Sequence, residues 1–435
     1  MSQNSGEWNI YGKKYNLSAF ASIHPGGAEI IEKMKDLPDC TAIFESYHAF
    51  SNIEGFKQTL AKYEIQNSGS ICPRDSSGDQ RSPTGISTVF SAENPRIPPS
   101  PSPKYFANPP YETDFSTYRE LVKRVKTVFP DRASIKPPPQ WYAWTSLLGF
   151  GYFYLLCRAL ASEYFAERLL FVILSATTEI SMMFNVLHDA SHYAISTDPL
   201  VNNVVSRVAN SWIGWNHLLW LYHHVYYHHT YTGGDLDTDK ELYKAEKGEG
   251  RLFFIRHTLL PGQYLGQGLW YAYCSIKNAL VCLKRESFKL PEQSRSYYDW
   301  PDILIMSCKL VVFYKLGFFC SAVYIATENT LYFINIIGDH DLYETHENNY
   351  DGNDWALRQI RNSGNFANDN LMWTFWFGGI NHQIEHHLFP NMCNVHYCIV
   401  ASIVREFCSE RGIPYVHVNT VEDVIRSFAK RVAVK

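Results

Sequence analysis

Apolar residues follow three patterns along this chain, and each predicts a different kind of element. Near the N-terminus Trp8, Ile10, Tyr15 and Leu17 alternate with polar residues around Gly12, the signature of short strands joined by a turn. Helical spacing follows, first through Ile30, Ile31 and Met34, then through Ile53, Phe56 and Leu60. The second pattern is continuous. Residues 141–161 hold one charge, Arg158, and at about 1.5 Å per residue a helix of this length crosses a bilayer core of roughly 30 Å. Leu169 to Leu187, carrying Glu179, is a second such run, and the short polar break Ser162-Glu163…Glu167-Arg168 predicts a tight transmembrane hairpin. Residues 303–338 are apolar again but contain Lys309 and Lys315. They fit two short spans, with the turn near Ala326 and Lys315 snorkelling or capping. The third pattern, in 194–222 and 252–283, is aromatic but broken by Gly, Pro and charge, as in helices lying on a membrane surface.

These patterns divide the chain. Residues 7–65 read as a small α+β unit, and residues 111–435 as a larger helical body without internal repeats. Between them, 66–110 is rich in Ser, Pro, Gly, Asp and Asn, and Pro98-Pro99-Ser100-Pro101-Ser102-Pro103 marks a linker of polyproline II character. Composition agrees with a mixed protein. Charged residues make up 19% of the 435, below the roughly 25% of average soluble domains, while a mean hydropathy of −0.23 excludes a chain made only of spans. A net charge of −4 gives no electrostatic footprint for nucleic acid. Ten cysteines without a Cys-x-x-Cys pair point to reduced, buried thiols in a cytosol-facing protein. Met1-Ser2-Gln3-Asn4 has neither the basic nor the apolar region of a secretory signal.

Histidine is the anomaly: seven of the 17 fall between His188 and His229. His188-Asp189-Ala190-Ser191-His192 places two imidazoles on one helical face. In His223-His224-Val225-Tyr226-Tyr227-His228-His229, His224 and His228 repeat that spacing, with His229 about 100° further round. In Gln383-Ile384-Glu385-His386-His387, Gln383 faces both histidines. Neutral imidazole suits iron, zinc and copper. A zinc hydrolase needs three or four ligands, so seven histidines in three boxes indicate a two-metal centre. Separately, His24-Pro25-Gly26-Gly27 and His48 offer the two opposed axial imidazoles a haem requires.

The stretch Gly12-Lys13-Lys14-Tyr15-Asn16-Leu17…Phe20…His24-Pro25-Gly26-Gly27, with Phe44-Glu45-Ser46-Tyr47-His48, resembles a cytochrome b5 domain. The resemblance implies haem b held by His24 and His48, although the first strand and helix of that family, ahead of Trp8, have no counterpart. The boxes, with Trp220…His224…His228-His229-Thr230-Tyr231-Thr232 and Gln383-Ile384-Glu385-His386-His387-Leu388-Phe389-Pro390, resemble membrane fatty acid desaturases. The fused haem unit and the Gln in the last box resemble the front-end group in particular. That resemblance implies an all-α integral membrane body with about four transmembrane helices and two non-haem irons. Their ligands would be His188, His192, His224, His228, His229, His386 and His387, with Gln383 beside them and His340, in Gly338-Asp339-His340-Asp341, as a further ligand. Gly233 replaces a frequent Asn, and Gly338-Asp339-His340 a commoner Ser-His-Asn.

His223 and His382 read as supports or structural residues, the run Asp235–Asp239 as a solvated loop, and Asn185 as a partner orienting His188. The implied activity is O2-dependent insertion of a cis double bond between an existing one and the carboxyl end of a polyunsaturated acyl chain, on coenzyme A or lipid. Electrons would come from a nicotinamide-dependent cytochrome b5 reductase and cross to the irons with the haem unit tethered by 66–110. The implied setting is the endoplasmic reticulum membrane, multi-pass, with haem and boxes cytosolic. A sphingolipid long-chain-base desaturase or hydroxylase uses the same boxes, and a membrane electron-transfer protein without chemistry is the alternative of another class.

Overall fold

The computed structural model describes residues 7–35, 37–65, 113–213, 217–234, 236–237, 239 and 300–434. The linker expected over 66–110 and the surface segment 252–283 lie outside the described residues.

The N-terminal unit pairs β1 (Trp8–Ile10) antiparallel with β2 (Lys13–Tyr15), Trp8 opposite Tyr15. Trp8 and Ile10, two apart, point into the core as the alternation predicts. Four helices complete it: α1 (Ser18–Ala21), α2 (Ala28–Met34), α3 (Thr41–Tyr47) and α4 (Ile53–Ala61). The Asn52 side chain caps α4 by accepting from the Gly55 N–H at 3.1 Å. Ile30, Ile31 and Met34 of α2 and Leu60 of α4 are buried, and the Trp8 indole locks the strand to α2 by donating to the Ile31 carbonyl at 2.7 Å.

The body begins with α5 (Ser116–Val125). A long hairpin follows, made of α6 (Pro139–Ala161), which carries proline in its first turn, and α7 (Phe165–Met182). The polar break between them is stitched together. Arg158 pairs with Glu167 at 2.5 Å, the Ser162 hydroxyl donates to Glu167 at 2.8 Å, and Arg168 donates to the Ser162 carbonyl at 2.7 Å. Beyond Met182 the helix runs on through a π-helical turn, Met183–His188, and a final α turn, Asp189–Ser191. Among the described residues this one helix, Phe165–Ser191, is both long and apolar enough to cross a membrane by itself. On α8 (Pro199–Ile213) the usual amphipathic order is inverted. Leu200, Val201, Val204 and Val208 are exposed while Asn202, Ser206 and Asn210 are buried, which suits a helix resting on an apolar phase.

Residues 303–338 resolve into α9 (Trp300–Leu316) and α10 (Phe318–His340). The turn between them falls at Gly317, with φ +82°, a backbone that a β-carbon disfavours; Ala326, where the sequence places the turn, lies inside α10. Lys309, for which the sequence offers no partner, finds one in the fold. Rather than meeting lipid, it is buried and ion-paired with Glu179 of α7, and Tyr324 of α10 donates to the same carboxylate. Lys315 is exposed at the end of α9. Phe165 and Phe319 touch, ring centroids 5.7 Å apart, so both hairpin turns share one end of the body. The aromatic residues Tyr164, Tyr314 and Phe318 are exposed there. At the opposite end α7 runs into His188 and α10 finishes at His340.

The last part of the body includes α11 (Gln383–Leu388), α12 (Tyr397–Arg411) and α13 (Val421–Val434). Buried Ile384, Leu388 and Phe389 join a core with Tyr118 and Trp355. The N-terminal unit is seated directly on this body. Arg119 pairs with Glu45, the Tyr222 hydroxyl donates to the Lys33 carbonyl at 3.0 Å, and Asn391 donates to the Tyr47 carbonyl at 2.9 Å.

Candidate metal centre

Two of the boxes lie on widened helix. His188 ends the π turn of the first box, and the second box sits in another, Leu221–His228. Such turns are rare and concentrate at functional sites. The consequence corrects the α-helical reading of His229. In an i→i+5 helix His229 falls under His224, their Nε2 atoms 3.3 Å apart, instead of a further 100° round. The third box occupies α11, and His340 arrives from the end of α10.

The structure brings all nine predicted positions together, in two adjacent groups. His188, His192, His224 and His386 each present a nitrogen within 4.8 Å of the others, and so do His228, His340 and His387. His229 lies between the groups, its ring 4.5 Å from that of His386 and 4.3 Å from that of His387. Gln383 joins the second group, its amide nitrogen 3.0 Å from His340 Nε2 and 3.1 Å from His387 Nε2. Half a turn about the amide would bring its oxygen to the same point. Nε2 atoms face one another at 3.1 Å between His188 and His224 and between His228 and His340. Metal–nitrogen bonds of about 2.0–2.1 Å place neighbouring ligands roughly 3.0–3.4 Å apart, so these separations fit a shared cation.

The outer nitrogens show which face of each ring is free. Nδ1 is engaged by Tyr47 in His192 (2.9 Å), Asp237 in His228 (2.8 Å), the Asn362 carbonyl in His340 (2.8 Å), Tyr397 in His386 (3.1 Å) and Gln359 in His387 (2.8 Å). The Nε2 atoms of His192 and His386 are buried and lack a partner. Rings tied at Nδ1 with Nε2 lone pairs converging inward are the arrangement of metal-ligating histidine. Burial, reinforced by neighbouring histidines, pushes His192, His224, His229, His386 and His387 well below the ordinary imidazole value. They are therefore neutral at physiological pH, the form that binds metal. His228 is the exception. Burial works against its charge, but Asp239 and Asp237 outweigh that and raise it to about 9. Carboxylates that favour a proton here favour a metal cation equally.

His24 and His48 face each other across an apolar pocket lined by Leu17, Phe20, Ile43, Phe44, Phe56 and Leu60. Their ring centroids are 6.3 Å apart, the spacing of two imidazoles that share a metal through nitrogens about 2 Å from it on either side. Each Nδ1 meets a backbone carbonyl, Gly27 at 3.1 Å and Phe44 at 2.8 Å, leaving Nε2 for the pocket. Burial lowers both imidazoles, His48 to about 4. The body closes this pocket with Arg132 and Lys136.

Two expectations change. Asn185 does not reach His188; its amide donates to the carbonyls of Ser181, Phe375 and Trp376 and ties the first box to a neighbouring segment. The acidic run is not simply solvated: Asp237 is buried against His228, and Asp239 pairs with His223 at 2.6 Å. Gly233 sits at φ +72°, and a β-carbon there would lie 2.2 Å from the Asn362 amide, so the replaced Asn reflects a tight turn beside the site. His382 lies in neither histidine group, its Nδ1 meeting the Asn368 amide at 2.7 Å. Sequence reading missed Tyr47, Gln359 and Tyr397 as supports. Each lies outside the box it supports, Tyr397 by 11 residues from His386, Gln359 by 28 from His387 and Tyr47 by 145 from His192, so box spacing does not reach them.

The comparisons agree with this geometry. The fatty acid desaturase family pattern matches residues 165–419, more than half of the chain. An sn-1 linoleoyl-lipid 6-desaturase of Synechocystis sp. is 30% identical over 289 residues, 60% of this chain and 79% of its own length. An acyl-lipid (8-3)-desaturase of Mortierella alpina is 23% identical over 445 residues, covering 94% of this chain and 88% of its own. A probable Delta(5) fatty acid desaturase C of Dictyostelium discoideum is 23% identical over 448 residues, with the same coverages. No solved structure matches the chain. With its three histidine boxes inside the matched segment, the chain belongs to the fatty acid desaturase family and is an O2-dependent oxidoreductase of acyl chains.

Proposed function

We propose that this enzyme is a front-end desaturase that carries its own electron donor. It inserts a cis double bond between an existing double bond and the carboxyl end of a polyunsaturated acyl chain. The observation that carries the reading is the pair of histidine groups with converging Nε2 atoms, beside a second two-histidine pocket of apolar lining. The relatives support the substrate class, since those matching 94% of the chain are named for acyl-lipid and fatty acid desaturation.

His188, His192, His224 and His386 would hold one iron, and His228, His340 and His387, with Gln383, the other. His229 is placed to serve either. His24 and His48 would hold haem b. Bound iron supplies the activation of O2 and the oxidising power to remove two hydrogens from adjacent carbons. The chain supplies the rest. Tyr397, Gln359, Asp237 and the Asn362 carbonyl hold the rings in the tautomer that frees Nε2. Burial keeps the imidazoles neutral and excludes water from the centre.

Four spans, α6, α7 with its extension, α9 and α10, place haem unit and boxes on one side of the membrane. Support comes from the two hairpins, whose turns share one end while the histidines share the other. The cytosolic face of the endoplasmic reticulum and a nicotinamide-dependent cytochrome b5 reductase complete the proposal.

The test is a feeding panel in yeast that lacks polyunsaturated fats, with new double bonds located by mass spectrometry. A new bond on the carboxyl side of an existing one is the expected result. Altered long-chain bases without new fatty acids would replace the reading with sphingolipid desaturation or hydroxylation.

A further inference from the structure

The seat of the N-terminal unit brings one of its side chains to the histidine centre. Tyr47 ends α3, directly before His48 in the chain, and its hydroxyl lies 2.9 Å from His192 Nδ1. His192 presents its other nitrogen, buried and without a partner, to the first histidine group. A single side chain therefore links the segment that carries one haem-pocket imidazole to a ring of the metal centre.

Contacts on every side hold this link in place. Asn391, just after the third box, donates to the Tyr47 carbonyl at 2.9 Å. Lys136 donates to the carbonyls of Tyr193 and Asn391 at 2.6 and 2.9 Å, and Tyr193 packs edge-on against the Tyr47 ring, centroids 6.4 Å apart. Glu45, on the same helix as Tyr47, is clamped by Arg119. Tyr47 thus belongs to a built interface, and its only hydrogen-bonding hydroxyl is spent on a histidine of the centre.

We propose that Tyr47 is the point at which electrons cross from the haem unit to the metal centre, and that they arrive at the first histidine group, through His192. The inference rests on the functional reading above. Each crossing would move one electron, from a ferrous haem held by His24 and His48, left ferric, to a ferric iron held by the first group, left ferrous. The nicotinamide cofactor of the reductase restores the haem. No bond is made or broken in Tyr47, and with Nε2 turned to the metal, His192 Nδ1–H donates to the Tyr47 oxygen throughout. Tyr47 acts through His192 and is a positioning and conducting residue, not a catalytic one.

The experiment compares the full-length holoenzyme with its Tyr47→Phe variant. Both are reduced without oxygen and then mixed with O2 and a substrate identified in the feeding panel, while haem reoxidation is followed by its visible absorption. Tyr47→Phe is expected to keep its haem and iron content and to slow haem reoxidation by about 10–100-fold, the range in which outer partners of metal-bound histidine act. Steady-state kcat should fall with it while KM holds. Reoxidation at the parent rate would overturn the proposal. Loss of iron from the variant would overturn it too, by making Tyr47 a support of His192 only. Asn391→Ala, which loosens the seat and leaves the phenol, should slow reoxidation less than Tyr47→Phe; an equal or greater effect would assign the crossing to another contact. If substrate fails to draw electrons from the haem in the parent enzyme, the functional reading itself fails, a result distinct from any of these.

Discussion

The two histidine groups are built from the same ring but backed differently. The first has four imidazoles, and the groups behind them are neutral: the hydroxyls of Tyr47 and Tyr397. Asp189 stands 3.7 Å from His188 Nδ1, beyond hydrogen-bonding distance, and Asp239 comes within 4.8 Å of a His224 nitrogen without a hydrogen bond to it. The second has three imidazoles and Gln383, and behind His228 stand Asp237 at 2.8 Å and Asp239 at 3.3 Å. A cation can be held by more neutral donors or by fewer donors with negative charge behind them, and this centre uses both. The difference also separates tasks. The four-histidine half touches the N-terminal unit, through Tyr47, while the charged half sits against α10 and the loop of Gly233.

Substitutions within the rings should have the largest effect and should separate the halves by metal content. His386→Ala and His387→Ala are both expected to abolish product. Iron per chain should fall from two toward one in each, with the loss in the first half for His386→Ala and in the second for His387→Ala, read by Mössbauer spectroscopy. Identical spectra from the two variants would break the division into halves.

A buried charge that holds no metal provides the contrast. Lys309→Met leaves Glu179 buried and unpaired, which should cost about 3–5 kcal/mol of stability. Tm should drop sharply while iron per folded chain stays the same, and adding Glu179→Gln should recover most of the loss. A fall in iron content would instead tie the ion pair to the centre.

Next in size is the charge behind His228. Asp237→Asn should weaken iron binding in the second half by about 10–100-fold, as for other outer partners of metal-bound histidine, and leave the first half untouched in a competition against a chelator. Tyr397→Phe removes only neutral hydrogen bonds, the one with His386 and the one donated to the Met392 carbonyl, each worth about 1 kcal/mol, so the first half should weaken by less than the second does in Asp237→Asn. Equal losses from the two variants would show that the charge behind the second group carries no special weight.

Much of this was legible in the chain because the chemistry is local. The boxes at 188–192, 223–229 and 383–387 name their ligands by residue type and spacing alone, and His24 and His48 do the same for the pocket of the N-terminal unit. What escaped was set by backbone form or by distance in the chain. A π turn has no signature in residue order, so the approach of His229 to His224 could not be read from an α-helical wheel. Asp237 looked like one of several exposed acids because solvation is decided by the loop's fold over His228. Lys309 has no partner in its own run because Glu179, which pairs with it, lies 130 residues away. Tyr47 lies 145 residues from His192, and a sequence that separates the units with a proline-rich stretch gives no sign that they touch.

The central claim is that one chain houses two irons beside one haem, and the most direct measurement is the metal content of the purified, full-length enzyme in detergent. Two irons in the histidine centre for each chain and each haem, with negligible zinc, is the predicted result. A single tightly bound zinc, or haem iron alone with the histidine groups empty after iron-replete expression, would contradict it.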